Sequence, residues 1–226
     1  MITKAGFEIA RIADCPWQKR VRFDGRESRF VMYQDDLENG LRMSIVEYPV
    51  GAVEPRHVHP GTHATTVVKG RAIIDGLTLG PLDVILGPSF EPHGPLEYPE
   101  GCTLFSCFQG SNDHSEVRSL GTEKRYRLVQ AAAIAWENFP QENREAKTLV
   151  DHGAGPLLLR AQRFAPGAMV ERHVHPYMQA ALIVEGNAVV DGETFDVWDF
   201  IYQPKGVAHG PIAFPNGATL LVVAMR

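Results

Sequence analysis

The sequence predicts an all-β chain built as two tandem domains, each a β-sandwich or small barrel, and three observations carry the prediction. Short extended segments alternate with Gly, Pro, Asn and Asp turn signals along most of the 226 residues. The pattern occurs twice at one fixed offset. The histidines collect at matching places in the two copies, and seven of the nine fall there.

The repeat is read most easily from its landmarks. His57, His59, His63 and His93 are answered by His173, His175, Gln179 and His209, and 173 − 57, 175 − 59, 179 − 63 and 209 − 93 all equal 116. Asp75-Gly76 falls on Asp191-Gly192, Asp83 on Asp199 and Pro88 on Pro204, with no gap between Gly51 and Leu104. A period of this size is a duplicated domain rather than a solenoid unit. The expected boundaries are a first domain over 1–112 that carries an N-terminal arm, a linker over 113–130 and a second domain over 131–226.

Taken in order, residues 1–26 are mixed and polar, with Pro16-Trp17 anchoring an arm expected to pack on the first domain. Extended segments follow at Arg29 to Gln34, Leu41 to Tyr48, His57 with His59, His63 to Val68, Ala72 to Asp75, Asp83 to Leu86 and Thr103 to Phe108. Glu38-Asn39-Gly40, Pro49-Val50-Gly51, Lys69-Gly70, Gly80-Pro81 and Pro99-Glu100-Gly101 separate them. Asp75-Gly76 and Asp191-Gly192 predict type I′ hairpins, because both central residues of that turn need positive φ. Gly110 to about Gln130 is charged and polar and reads as the linker, with His114 a loop residue. Ala131 to Trp136 fits a short helix or a strand, and Thr219 to Ala224 closes the chain as a buried strand.

Composition narrows the function classes. Hydrophobic residues at 44% and charged residues at 22% are ordinary for a soluble globular protein. A net charge of −5 without a basic cluster argues against nucleic acid or an anionic membrane surface. The start Met1 to Glu8 lacks an apolar core of the signal-peptide kind, and no run approaches the roughly 18 apolar residues of a spanning helix. Cys15, Cys102 and Cys107 are an odd set without CxxC spacing, which fits reduced thiols and a cytoplasmic location.

Two histidines two residues apart on an extended strand project to one face, so each His-x-His is half of a metal site. His63 or Gln179 and the distant His93 or His209 supply the remaining donors of a divalent transition metal. With these residues in view the chain resembles the cupin superfamily, and its duplicated members, the bicupins. The first cupin motif, Gly, five residues, His-x-His, then a Glu position and a Gly, is matched by Gly51, His57, His59, His63 and Gly70, and by Gly167, His173, His175, Gln179 and Gly186. The second, Pro-x-Gly-x-x-His, is complete as Pro204 to His209, whereas Phe90 replaces the Gly in Pro88 to His93. The Asn often found four residues after that His is replaced by Glu97 and Ala213.

The resemblance implies a double-stranded β-helix jelly roll in each half, with one Fe, Mn, Zn or Ni ion per barrel. Its ligands would be His57, His59, His63 and His93 in the first copy and His173, His175, Gln179 and His209 in the second. His or Gln stands where the family carries its ligand Glu, so four neutral donors would leave the ion its full charge and favour substrates that bind as anions. On the segment Leu158 to Phe164, Arg160 and Gln162 share a face. If it looks inward it offers a cation for such a substrate, and if outward Arg160 is a solvated charge. Tyr202 fits core packing or an acid and hydrogen-bond donor. Arg56 and Arg172 have the opposite parity to the ligands and are expected away from the metal.

Three functions follow from this reading. One is a non-haem dioxygenase acting on an enolisable ketone, a diketone or a phenol. Another is a Lewis-acid isomerase, cyclase or lyase, and the last a sensor of a small molecule or metal without turnover. The expected partner is a small anionic or enolisable substrate, in a homodimer.

Overall fold

A computed structural model of the chain describes residues 1–22, 25–36, 41–113, 115–116, 125–151 and 157–225. The turn Glu38-Asn39-Gly40, His114, His152 and half of the expected linker lie outside the described residues. The chain divides into two compact units, one of Pro16–Ala132 and one of Met1–Cys15 with Ala133–Arg226.

In the first unit a seven-stranded sheet runs in the order Arg127–Val129, Val84–Gly87, Thr62–Gly70, Cys102–Gln109, Leu41–Tyr48, Glu27–Asp36, Gln18–Val21. A four-stranded sheet of Leu77–Leu79, Ala72–Ile74, Leu96–Tyr98 and Ala52–Glu54 packs on it. Their inner faces meet in one core, in which Val67, Ile85 and Leu104 of the large sheet touch Ile74, Leu79 and Tyr98 of the small one. The second unit repeats the plan. Phe164, Ile183 and Leu220 of an eight-stranded sheet pack against Val190, Phe195 and Phe214 of a four-stranded one. Pairing is antiparallel throughout, and the alternation of inward and outward side chains that the sequence shows is the period of these strands. Both hairpins turn as expected, with φ of 52° and 76° at Asp75 and Gly76 and of 48° and 76° at Asp191 and Gly192.

Two expectations need correction. Only the later part of the N-terminal arm packs on the first domain, where Trp17 lies under Arg29 and Gln18–Val21 pairs with Glu27–Phe30; Phe7–Ala10 instead pairs with Phe200–Gln203 and so completes the second barrel. Nor is 113–130 only a linker, because Arg127–Val129 pairs with Val84–Gly87 as an edge strand of the first barrel. The two corrections are one arrangement. The segment leading into each repeat adds a strand to the barrel of the other repeat. It then turns through a short 3-10 segment, Ile12–Asp14 or Ala131–Ala133, before entering its own. The Ile12 amide donates to Asp199 Oδ1 at 2.8 Å and the Ala131 amide to Asp83 Oδ1 at 2.7 Å. These amides, like Trp17 and Trp136, are related by 119 residues rather than 116, an offset that places the boundaries near Cys15 and Ala132. Each Trp then takes a cation from its own barrel, Arg29 over Trp17 and Arg163 over Trp136. The ion pairs Arg29–Glu47 and Glu145–Arg163 occupy corresponding positions with their signs exchanged.

Candidate metal centres

The first and second motifs meet through backbone hydrogen bonds. His57 and His93 exchange both amide-to-carbonyl bonds at 3.0 Å, and His173 and His209 do so at 2.9 Å. This isolated antiparallel bridge places the two side chains on one face, where His59 or His175 joins them. His57, His59 and His93 present ring nitrogens all within 4.8 Å of one another, as do His173, His175 and His209. His63 adjoins the first trio, its ring centroid 4.7 Å from that of His93 and 5.1 Å from that of His59. Gln179 lines the second cavity beside His173 and His175.

The tautomers suit a metal. Nδ1 of His57, His93, His173 and His209 each lies 2.7–3.2 Å from the carbonyl two residues earlier, Pro55, Glu91, Glu171 and Val207 respectively. Nδ1 of His59 faces the Asp113 carbonyl at 3.1 Å. A carbonyl only accepts, so Nδ1 carries the proton and Nε2 presents its lone pair. In the second trio Nε2 of His173 and Nε2 of His175 are 3.0 Å apart. Two nitrogens bound at right angles to one ion, each about 2.0–2.1 Å from it, stand about 2.9 Å apart. Nε2 of His63 and of His209 are buried without a hydrogen-bond partner. Burial, then the neighbouring His57 and His59, pull His93 down to about 3. Burial, then His173 and His209, pull His175 down to about 4. Neutral imidazoles are the ligand form, so the donor set fits a divalent transition metal in both barrels.

The surroundings of the two centres differ. The first opens on a cavity of about 70 Å³ and the second on one of about 220 Å³. Beside His57 in the first barrel, the buried Glu54 carboxylate accepts from Tyr48 OH at 2.5 Å and Tyr98 OH at 2.7 Å and pairs with Arg22 at 3.4 Å. Tyr48 and Tyr98 stack at 4.2 Å. The corresponding residues of the second barrel are Phe164 and Phe214, stacked at 4.0 Å, with Val170 where Glu54 stands. The same layer is thus polar in one barrel and apolar in the other. Sequence reasoning missed this network, although Glu54 opposite Val170 at the 116 offset is a legible signal.

The remaining candidates divide. Arg160 and Gln162 both line the second cavity, so their face looks inward. Tyr202 does not reach it: its strand neighbours Ile201 and Gln203 line the cavity, and alternation turns Tyr202 to the other face, opposite Glu8 of the arm. Arg56 and Arg172 do point away from the imidazoles. They hold the second motif by its backbone, through Gly94 O at 2.8 Å for Arg56 and through Ala208 O and Gly210 O at 3.2 and 3.3 Å for Arg172. Phe7, on the misassigned arm, is fully buried with its ring 5.0 Å from that of His209. Burial raises the thiol of Cys102 to about 12 and that of Cys107 further, so neither is a thiolate nucleophile at neutral pH.

Comparison with known proteins agrees with this architecture. Residues 124–226 match the family model of the ChrR Cupin-like domain. No curated protein matches the chain in sequence. Among solved structures, a candidate dioxygenase from Nostoc punctiforme superposes with a TM-score of 0.82 at 15% identity, over 98% of this chain and 83% of that one. Oxalate decarboxylase from Bacillus subtilis gives 0.65 at 16% identity, over 100% and 77%. Salicylate 1,2-dioxygenase from Pseudaminobacter salicylatoxidans gives 0.61 at 14%, over 83% and 71%. At such identities the likeness is one of fold, and these relatives carry out different reactions on it. With two in-register motif pairs and two jelly rolls that each gather their histidines at one point, the chain has the cupin fold twice over, a bicupin architecture whose second half matches a cupin family model.

Proposed function

We propose that the chain is a metal-dependent small-molecule enzyme of dioxygenase type, with iron in the second barrel acting on an enolisable ketone, a diketone or a phenolic substrate. One observation carries the reading: three imidazoles aim metal-ready Nε2 atoms at a cavity that has room for a substrate beside them. Three His and Gln179 as ligands would leave open positions on an octahedral ion, and such an ion would supply Lewis acidity and a path for electrons between substrate and O2. His173, His175 and His209 would hold it, Arg160 and Gln162 would orient the substrate, and the apolar wall would exclude water. In the first barrel His57, His59, His63 and His93 would hold a second ion in a closed polar pocket. The three free cysteines support a reducing compartment such as the cytoplasm.

Oxygen uptake by the iron-loaded protein, against a panel of diketones, phenolic ketones and hydroxy acids, tests the reading. Uptake with product formation supports it, and none across the panel removes it. Turnover undiminished under strict anaerobiosis assigns the same residues to Lewis-acid isomerisation, cyclisation or lysis. Saturable binding without any turnover leaves a sensor, for which a homodimer would be expected on sizing.

A further inference from the structure

We propose that the second barrel binds one small planar carboxylic acid per chain, with Arg160 as the residue that takes the carboxylate, and that the first barrel binds none. The proposal deepens the enzymatic reading and rests on it only in placing substrate and metal in one cavity.

Arg160 lies mid-way along Leu157–Phe164, where Leu158, Arg160, Gln162 and Phe164 all face the cavity. Across the sheet it stands in register with Val222 and, beyond that, Ala181. Gln179 shares the next row on this face with Ala224 and Leu158, two residues or about 6.6 Å along the strands. The guanidinium therefore enters the cavity one alternation away from the candidate amide ligand. Its Nε donates to Thr148 Oγ1 at 3.3 Å, which orients the group, and no carboxylate pairs with it among the described residues. The other cation of the lining, Arg144, is bound to Glu142 at 2.6 Å and sits opposite Phe164, four residues from Arg160. Arg160 thus carries the unbalanced charge of a cavity with mixed polar and apolar walls, and a planar guanidinium matches a carboxylate with two parallel hydrogen bonds. Gln203 Oε1, buried without a partner and facing Gln179 across the strands, is an acceptor placed for a hydroxyl of the same ligand.

Size and charge exclude the acid from the first barrel. Its cavity, at about 70 Å³, is about a third the size of the second, at about 220 Å³. Ser44 and Val46 stand where Arg160 and Gln162 do, Arg22 is committed to Glu54, and Arg20 is exposed and packs over Phe30. Glu54 lines the first cavity, and its carboxylate would repel a second one.

Calorimetric titration of the zinc-loaded full chain with benzoate, benzamide and 2-hydroxybenzoate decides the matter without turnover. One site per chain, benzoate binding at least about tenfold tighter than benzamide, and 2-hydroxybenzoate tighter again are expected. Arg160→Met should erase the preference for the acid and Arg160→Lys should keep part of it, with zinc content unchanged in both. Two sites per chain, equal affinities for benzoate and benzamide, or no benzoate binding overturns the proposal, and the first two readings need no variant. Acid binding as described without oxygen uptake by the iron form removes the oxygenase reading alone. Oxygen uptake with neutral diketones, together with benzoate binding that is absent or that Arg160→Met leaves unchanged, removes this proposal alone.

Discussion

A Cβ placed on Gly87 would lie 2.2 Å from Nε2 of His63, which faces it across neighbouring strands. In the second barrel the same two positions hold Gln179 and Gln203. The bare backbone accompanies the imidazole, and the longer side chain accompanies the amide. Gly87→Ala is therefore expected to push His63 aside, with an overpacking cost of about 1–3 kcal/mol. Metal affinity of the first site should fall by about 10- to 100-fold, as when a ligand's support is lost, while the second keeps its own. Competition with a chromophoric chelator resolves the two affinities. Equal retention of both would show that His63 contributes nothing to the first centre.

Glu54 and Arg22 are side chains of 8% and 6% exposure, so each compensates a charge that the other would otherwise leave buried and unpaired. Glu54→Val alone is expected to cost about 3–5 kcal/mol, because it strands Arg22 and the two tyrosine hydroxyls. The fourfold change Arg22→Met, Glu54→Val, Tyr48→Phe and Tyr98→Phe copies the apolar layer of the second barrel. It should stand within about 2 kcal/mol of the parent despite altering more residues. Urea unfolding midpoints separate these outcomes. A quadruple variant weaker than the single one would contradict them.

These two pairs show what the sequence disclosed and what it withheld. Because strands alternate strictly and a fixed offset preserves parity, the 116-residue offset located the histidines that meet in each barrel, both hairpins and the face that Arg160 shares with Gln162, though not that this face looks inward. It also put Val170 and Glu54 in register, from which the polar layer follows once burial is known. The arm was misplaced because strand pairing across a sheet leaves no trace in local pattern. Phe7–Ala10 reads equally well against either barrel, and the 119-residue spacing of Trp17 and Trp136 is visible only after the loop length between the repeats is discounted. Tyr202 was misjudged by taking side-chain chemistry before parity, since Gln203 beside it faces the cavity.

Acid should loosen both centres in a defined window. His93 is held down to about 3 and His175 to about 4, against an ordinary value of 6.5. With folded values below unfolded ones, the unfolded chain takes up protons first as pH falls. The stability that neutral imidazoles contribute is complete above 6.5 and declines as pH drops from there towards 4. For His93, which is mostly buried, the slope approaches about 1.4 kcal/mol per pH unit. Thermal unfolding of the chelated protein from neutral pH down to 4 measures the decline. The metal-loaded protein should release its ions over the same range, since protons and metal compete for the same lone pairs. A melting temperature flat across that range would mean that these imidazoles are already charged in the fold.

The exchanged arm makes a prediction that separates the barrels. Phe7 is wholly buried, touches the ring of His209 and lines the second cavity. Behind it, the Gly210 amide donates to Ala5 O at 2.9 Å, and Gly6 passes so close to Ala208 that a Cβ there would meet its carbonyl oxygen at 2.2 Å. The arm thus packs on both the side chain and the backbone of the second motif of the second barrel, while in the first barrel Tyr126 takes the matching place, 6.3 Å from the ring of His93. Phe7→Ala should cost about 3–5 kcal/mol, as for an aromatic ring removed from a core. Because that loss falls where His209 is positioned, the second metal should bind more weakly while the first is retained. Bound metal near one ion per chain under mild chelation, with His57, His59 and His93 still protected, is the expected result. Equal loss from both sites would show that the barrels unfold as one unit, and loss from the first site alone would contradict the strand exchange.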